Sequence, residues 1–135
     1  MMNRLVVTVL ALVLLAACRT SSGDDEPDYT PIPDAELFAQ IGRLPGVSDV
    51  DISYSKDFGN TGYIGQIAVA AGTDPVATLD HAYAILRQGR YRASITVVAV
   101  QNGKQFSTIE LGTGSSNAEL TKRYGPQPGT GEPPQ

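Results

Sequence analysis

The sequence predicts an α+β domain in which one four-stranded antiparallel sheet carries two helices on one face. Two segments repeat their apolar residues with helical spacing, several others alternate apolar and polar residues, and an Asn-Gly pair separates two β-rich runs. The predicted order is helix, strand, strand, helix, strand, strand. Two helices joined to two hairpins pack most simply as a ferredoxin-like plait in circularly permuted form, with the strand order 3-4-2-1.

Both predicted helices have recognisable ends. The first begins at Asp34, whose carboxylate can cap a helix amino terminus, and it ends at Pro45-Gly46. The second begins at Asp74-Pro75, an N-cap followed by proline at the first helical position, and Gly89 fits the position just past its end. Apolar residues of the first helix recur at Leu37, Phe38, Ile41 and Leu44, and those of the second at Val76, Leu79, Tyr83 and Leu86.

Four strands complete the domain. Residues 47–55 alternate between apolar and polar side chains, which predicts a strand with one face in the core. The second strand covers residues 63–71, the third 94–101 and the fourth 105–111. Asn102-Gly103, between the last two strands, is typical of a two-residue hairpin turn.

The third strand supplies the candidate interaction surface, because it has aliphatic residues at both odd and even positions. The hairpin turn pairs Ala99 with Phe106, and this register assigns Val97 and Val98 to opposite faces. Whichever face turns toward the helices, apolar side chains stay on the open side, and an edge position would add unpaired backbone groups. The candidate surface comprises Ile95, Val97, Val98, Val100 and Phe106.

A basic cluster follows the second helix. Arg87, Arg90 and Arg92 surround Tyr91 where that helix gives way to the third strand. A helix dipole stabilises cations near its carboxyl terminus, which is one explanation of the cluster. The other is a candidate anion patch that binds a small anion or an acidic partner. The sequence leaves both interpretations open.

Composition excludes several classes of protein. A chain of 135 residues has room for one domain, and its single cysteine cannot form an internal disulfide. The formal net charge of −4 argues against nucleic acid as a partner, because phosphates require clustered Lys and Arg.

One acidic pattern resembles a calcium loop. Its polar residues stand at every second position: Asp49, Asp51, Ser53, Ser55 and Asp57. An EF-hand loop needs glycine at its sixth position, where this chain has Tyr54. A strand with one polar face explains the spacing better, and we expect no metal site.

Catalytic motifs are also missing from the sequence. His81 is the only histidine, and it follows Asp80 directly on the predicted second helix, where neighbouring residues do not face each other. No G-x-S-x-G motif marks a nucleophile, and no G-x-G-x-x-G motif marks a nucleotide-binding turn. We expect no catalytic residues and no cofactor, and a hydrolase built around His81 is the least favoured alternative.

The amino terminus has the layout of a secretory signal peptide. One basic residue, Arg4, precedes an apolar run over 5–15 that is too short to span a bilayer. Leu15-Ala16-Ala17-Cys18 resembles the lipobox of bacterial lipoproteins, whereas the globular domain resembles no characterised family closely. The lipobox resemblance implies cleavage before Cys18 and attachment of diacylglycerol to its sulfur. It also implies an anchor on the extracytoplasmic side of the cell membrane.

These signals divide the chain into four parts. We expect a signal peptide over 1–17, and a lipidated Cys18 with a flexible acidic tether over 18–33. The globular domain covers 34–112, and a carboxyl-terminal segment covers 113–135. That segment is rich in proline and glycine from Gly125, which predicts a disordered tail.

The sequence therefore predicts a lipid-anchored extracytoplasmic lipoprotein with a small non-catalytic interaction domain. Its expected partner is an envelope protein or a second copy of the chain. The alternative is a module that binds an envelope phospholipid or a small ligand. The order of elements resembles that of BON domains, a family associated with phospholipid binding, and this resemblance supports the alternative.

Overall fold

The computed structural model describes residues 27–57 and 60–135. In this part of the chain four helices and four strands form an α+β domain with an open, mixed sheet. The elements are α1 (Asp34–Gly42), β1 (Val47–Asp57), β2 (Asn60–Val69), α2 (Pro75–Leu86), β3 (Ser94–Gln101), β4 (Lys104–Phe106), α3 (Thr108–Leu111) and α4 (Asn117–Tyr124).

The sheet order is β1-β2-β3-β4, and β2 and β3 run parallel to each other. The prediction of an all-antiparallel sheet in the order 3-4-2-1 was therefore wrong, and a ferredoxin-like arrangement is not confirmed. The reason is the connection through α2, whose 12 residues span about 18 Å. This helix carries the chain back along the sheet, so that Ser94 pairs with Gly62 near the start of β2.

The helices pack on one face of the sheet, as the sequence predicts. Leu37 and Ile41 of α1 and Leu79 and Tyr83 of α2 are fully buried. They join one hydrophobic core with sheet residues that include Ile52, Tyr63, Ile67, Ile95 and Val97. The predicted cap of α2 is confirmed, because the Asp74 carboxylate accepts hydrogen bonds from the amides of Val76 and Ala77.

The fourth strand is shorter than the predicted range 105–111. Ala99 pairs with Phe106 as expected from the Asn-Gly turn, but β4 ends at Phe106. The Ser107 hydroxyl accepts from the Ile109 amide, and the Glu110 carboxylate accepts from the Ser107 amide. This capping box starts the short helix α3 in place of the rest of the strand.

Because β4 is short, other groups close the neighbouring edge of β3. The amide of Ile95 donates to the carbonyl of Ser115 at 3.0 Å. Further along, the hydroxyl of Tyr83 bonds to both backbone groups of Val97. The segment before α4 and one side chain of α2 thus take the place of a longer strand partner.

The carboxyl-terminal segment differs from the predicted disordered tail. The segment after α4 has no regular secondary structure, but Gln127 ties it to the chain beyond α2. The Gln127 side chain donates to the carbonyls of Arg87 and Arg90 and accepts from the amide of Arg92. These carbonyls lie at and just beyond the end of α2, where backbone groups need partners outside the helix, so the Gln127 amide satisfies them.

The described part of the predicted tether also contacts the domain. The hydroxyl of Tyr29 donates to the carbonyl of Gly89 at 2.7 Å, and the amide of Ile32 donates to the carbonyl of Gln88 at 3.1 Å. Ile32 packs against the core. Residues that precede the sheet domain in sequence and residues that follow it therefore both contact the carboxyl end of α2.

Candidate functional site

The face of the sheet opposite the helices, here called the open face, has acidic side chains on one side and aliphatic side chains on the other. Strand register aligns three rows across this open face, Asp49-Ala68-Val100, Asp51-Gln66-Val98 and Ser53-Ile64-Thr96. Ile64 is 39% exposed, and Val98 and Val100 are half-buried. The β1 edge of the open face thus carries carboxylates, while its β3 side carries branched aliphatic side chains.

The five residues of the predicted interaction surface divide between the two faces. Val98 and Val100 lie on the open face, as the prediction requires. Ile95 and Val97 are each 1% exposed beneath the helices, and Phe106 packs against the same core. These three residues are therefore not part of the open face, because they lie on the side of the sheet that the helices cover.

The sequence analysis also considered β3 as an edge strand. In the structure β3 lies between β2 and β4, whereas β1, at one end of the sheet, pairs only with β2. The acidic residues of β1 discourage this edge from pairing with another strand. β3 therefore does not present the free strand edge that the sequence analysis considered.

Arg90 belongs to an ion pair with Asp34. Its Nη2 lies 2.9 Å from Asp34 Oδ2, and its guanidinium lies 3.8 Å from the ring centre of Tyr54. The same carboxylate accepts from the hydroxyl of Tyr63 at 3.0 Å, and burial raises the pKa of that tyrosine. Asp34 makes no side-chain capping bond to α1, so the predicted cap is replaced by this network.

Arg87 is buried and bonded to neutral groups. It is 2% exposed, and it donates to Asn117 Oδ1 at 2.9 Å, to Thr121 Oγ1 at 3.1 Å and to the carbonyl of Gly125 at 3.0 Å. Within residues 27–57 and 60–135, no carboxylate forms a salt bridge with it. Burial lowers the pKa of this guanidinium.

The predicted anion patch is therefore divided. Arg90 pairs with Asp34, whereas Arg87 and Arg92 line one cavity with a volume of about 290 Å³. Arg92 is exposed, and its guanidinium lies 5.0 Å from the ring centre of Tyr91. The sequence placed the three arginines together, but it gave no sign that one of them is buried.

Asp80 and His81 have separate partners. The Asp80 carboxylate lies 2.6 Å from Arg123 Nη2 and accepts from the Tyr124 hydroxyl, while His81 Nε2 lies 3.4 Å from Glu132 Oε2. The acidic residues of the calcium-like pattern lie along β1. Within the described ranges no cluster of three His, Cys, Asp or Glu residues could hold a metal ion.

The predicted lipid attachment site, Cys18, lies outside the described residues. From residue 27 onward, leaving out 58 and 59, no helix is long and apolar enough to cross a membrane. The open face and the Arg87 cavity are two features of the described chain that a partner or ligand could use.

Comparison with known proteins gives no relative. The chain matches no protein family model, no curated protein and no solved structure. The resemblance to BON domains accordingly stays an interpretation of the order of elements, and functional argument must start from the geometry of this chain.

Proposed function

We propose that the chain is a lipid-anchored extracytoplasmic lipoprotein whose domain binds a protein of the cell envelope without catalysing a reaction. The observation that carries the proposal is the open sheet face. There Val98, Val100 and Ile64 form an aliphatic area beside the aspartate row of β1. An apolar centre with a charged margin is the arrangement found in protein interfaces.

The helices of the described chain leave this face uncovered, which supports its proposed role in binding. Leu37, Leu79, Leu111 and Leu120, one from each helix, are buried in the core on the opposite side of the sheet. Removing the aliphatic side chains of the open face from water would favour association by roughly 25 cal/mol per Å² of apolar area.

Charge favours one kind of partner. Asp49 and Asp51 lie on the open face, and no Lys or Arg occupies a paired open-face position of the four strands in the described chain. A segment with apolar residues next to Lys or Arg complements this surface. Anionic lipid headgroups would be repelled by the aspartates, which favours a protein partner over the membrane surface.

The position at which the amino-terminal segment joins the domain also supports the open face as the partner surface. Tyr29 and Ile32 contact the carboxyl end of α2, on the helix side of the sheet. A lipid on Cys18 would be connected through these residues. The open face would then be free of the anchor and accessible to a partner.

The anchor is tested by labelling cells with an alkyne-modified palmitate. We expect label on the wild-type chain and its loss in Cys18→Ser, because the chain contains no second cysteine to accept a thioether. A Ser21→Ala variant serves as the matched control. Equal labelling of Cys18→Ser and the wild-type chain would contradict the anchor.

The partner surface is tested by photo-crosslinking in intact cells. We expect p-benzoylphenylalanine in place of Thr96, on the open face, to form one discrete crosslink whose partner peptide is apolar and basic. The same probe at Ala118, exposed on α4, is the control. A similar crosslink pattern at both positions would contradict the proposal.

A charge substitution gives an independent check. Val98→Lys should abolish the crosslink from position 96, because it places an unpaired ammonium group in the apolar area. Ala77→Lys introduces the same group at an exposed position of α2 and should leave the crosslink unchanged. A folded Val98→Lys chain that crosslinks normally would show that this face is not the interface.

A further inference from the structure

A cavity of about 290 Å³ lies at the carboxyl end of α2. It is close to the lower limit of about 300 Å³ for small-molecule sites. The chain before the sheet domain contributes Tyr29, and the chain after it contributes Gln127. The remaining lining residues include Arg87, Tyr91, Arg92 and Asn117. The cavity is separate from the open sheet face.

The positive charge of Arg87 is uncompensated within the described chain. Its acceptors are an amide oxygen, a hydroxyl and a backbone carbonyl, all of them neutral, and its buried Nε has no hydrogen-bond partner among the described residues. Two of these acceptors, from Asn117 and Thr121, line the cavity together with Arg87. A buried charge is costly unless an opposite charge accompanies it.

A second cation and two aromatic rings complete the lining. Arg92 lies beside Tyr91, whose ring centre is 6.4 Å from that of Tyr29 in an edge-to-face arrangement. One acidic residue, Asp28, is among the lining residues of the described chain, and it is exposed. Two arginines against one carboxylate give the cavity a positive charge, and the rings give it an apolar wall.

We propose that this cavity binds a small oxyanion, the carboxylate or phosphate monoester group of a ligand whose carbon atoms contact the tyrosine rings. The oxyanion supplies the negative charge that buried Arg87 lacks, and Arg92 binds it from the exposed side. Arg92 suits both a carboxylate and a phosphate, because its planar fork of N–H donors matches two oxygens at once, while Arg87 contributes its positive charge. Both a free metabolite and a lipid headgroup carry this chemistry.

The proposal is tested by calorimetric titration of the full chain, purified from membranes in a non-ionic detergent. The probes are sodium phosphate, sodium acetate and glycerol 3-phosphate, and sodium chloride at the same ionic strength is the reference for each. We expect saturable binding of at least one of them. Tighter binding of glycerol 3-phosphate than of phosphate would assign the site to a headgroup, and the reverse would assign it to a free oxyanion.

Arg92→Gln is the decisive variant, because Arg92 is exposed and its loss leaves the core intact. Hydrogen bonds to charged groups contribute about 1.5–3 kcal/mol, so Arg92→Gln should weaken binding about tenfold or more. Arg43→Gln removes the same charge at an exposed position after α1 and should not change the affinity.

Arg87→Lys provides a second measurement, made by thermal unfolding. Saturating probe should raise the midpoint of the wild-type chain and should raise that of Arg87→Lys less, because an ammonium group cannot reproduce the planar set of hydrogen bonds to Asn117, Thr121 and Gly125 that holds the positive charge at this position. Absence of saturable binding for all three probes would overturn the proposal. Equal weakening by Arg43→Gln and Arg92→Gln would also overturn it, since that result indicates an adventitious surface attraction only.

Discussion

The hydroxyl oxygen of Tyr83 lies 2.7 Å from the carbonyl oxygen of Val97 and 3.1 Å from the Val97 amide nitrogen. One side chain of α2 therefore donates to and accepts from the same residue of β3, as a neighbouring strand would. Tyr83 and Val97 are both buried, so water cannot replace this hydroxyl. Both backbone groups of Val97 thus depend on one phenol group.

Removing that hydroxyl should destabilise the domain. We expect Tyr83→Phe to lower the free energy of unfolding by about 1–3 kcal/mol, because it leaves two buried backbone groups without a partner. Urea unfolding followed by circular dichroism measures the change. Tyr91→Phe is the control, since the Tyr91 hydroxyl makes no hydrogen bond within the described ranges and its loss should have little effect. Equal stability of the two variants would contradict the assigned role.

Alkaline pH should destabilise the fold through its buried tyrosines. Burial raises the pKa of Tyr83 to about 12 and also raises that of Tyr63 and Tyr124 above 10.0. Tyrosines in the unfolded chain ionise at about pH 10. The stability that the protonated, buried tyrosines give the fold is therefore fully present below that pH. It decreases as the pH rises toward 12, because the unfolded state loses its protons first.

Urea unfolding midpoints measured across this range should therefore fall as the pH rises. The fall should be less steep in Tyr83→Phe, which lacks one of the titrating groups. A wild-type midpoint that stays constant above pH ~10 would contradict the prediction.

Gly89 is needed for close packing. A methyl group on Gly89 would overlap the Tyr63 hydroxyl and the side chain of Leu37. Gly89→Ala should therefore cost about 1–3 kcal/mol of unfolding free energy, the usual cost of overpacking. In Gly42→Ala the new methyl group meets Val50 Cγ2 at an ordinary 3.7 Å, so this control should be neutral or slightly stabilising in the same denaturation assay. Comparable losses in both variants would show that Gly89 has no special packing role.

The ion pair between Asp34 and Arg90 should contribute little on its own. The Arg90 side chain is 42% exposed, which allows water and salt to screen the attraction. A double-mutant cycle with Asp34→Asn and Arg90→Gln should give a coupling energy of about 0.5–1 kcal/mol that falls with added salt. Coupling that is several times larger, or unaffected by salt, would mean that the pair acts as a buried one.

Local signals were sufficient for most of the sheet domain. Spacing of apolar residues predicted α1 and α2, and alternation together with the Asn102-Gly103 turn predicted the first three strands and the β3–β4 register. The same register separated Val98 and Val100 from Val97, but it did not decide which of the two faces is open. Each of these features depends on residues that are neighbours in sequence.

The parallel pairing of β2 with β3 is not a local property. It depends on the length of α2 and on the packing of that helix against the sheet, which together return the chain to the start of β2. The burial of Arg87 likewise depends on Asn117 and Thr121, which come from a separate helix. No pattern around residue 87 indicates these contacts.

Two helices near the carboxyl terminus did have a sequence signal. Ser107 and Glu110 form one capping box, and Ser116 and Glu119 form another. Both follow the spacing in which serine is three residues before glutamate. Around Ile109, residues with high β-propensity predicted a strand. The paired hydrogen bonds between Ser107 and Glu110 favour a helical turn there instead.

Tyr29 and Gln127 line the same cavity although 97 residues separate them in sequence, and this affects how the protein is made and degraded. A ribosome releases the amino terminus first, so the Arg87 cavity is incomplete until Gln127 has been synthesised. Cleavage by a protease just after Tyr124 would leave in place the helices and strands of residues 27–57 and 60–124 but remove Gln127 and its three hydrogen bonds. Such a clipped chain would keep its sheet and lose one wall of the cavity.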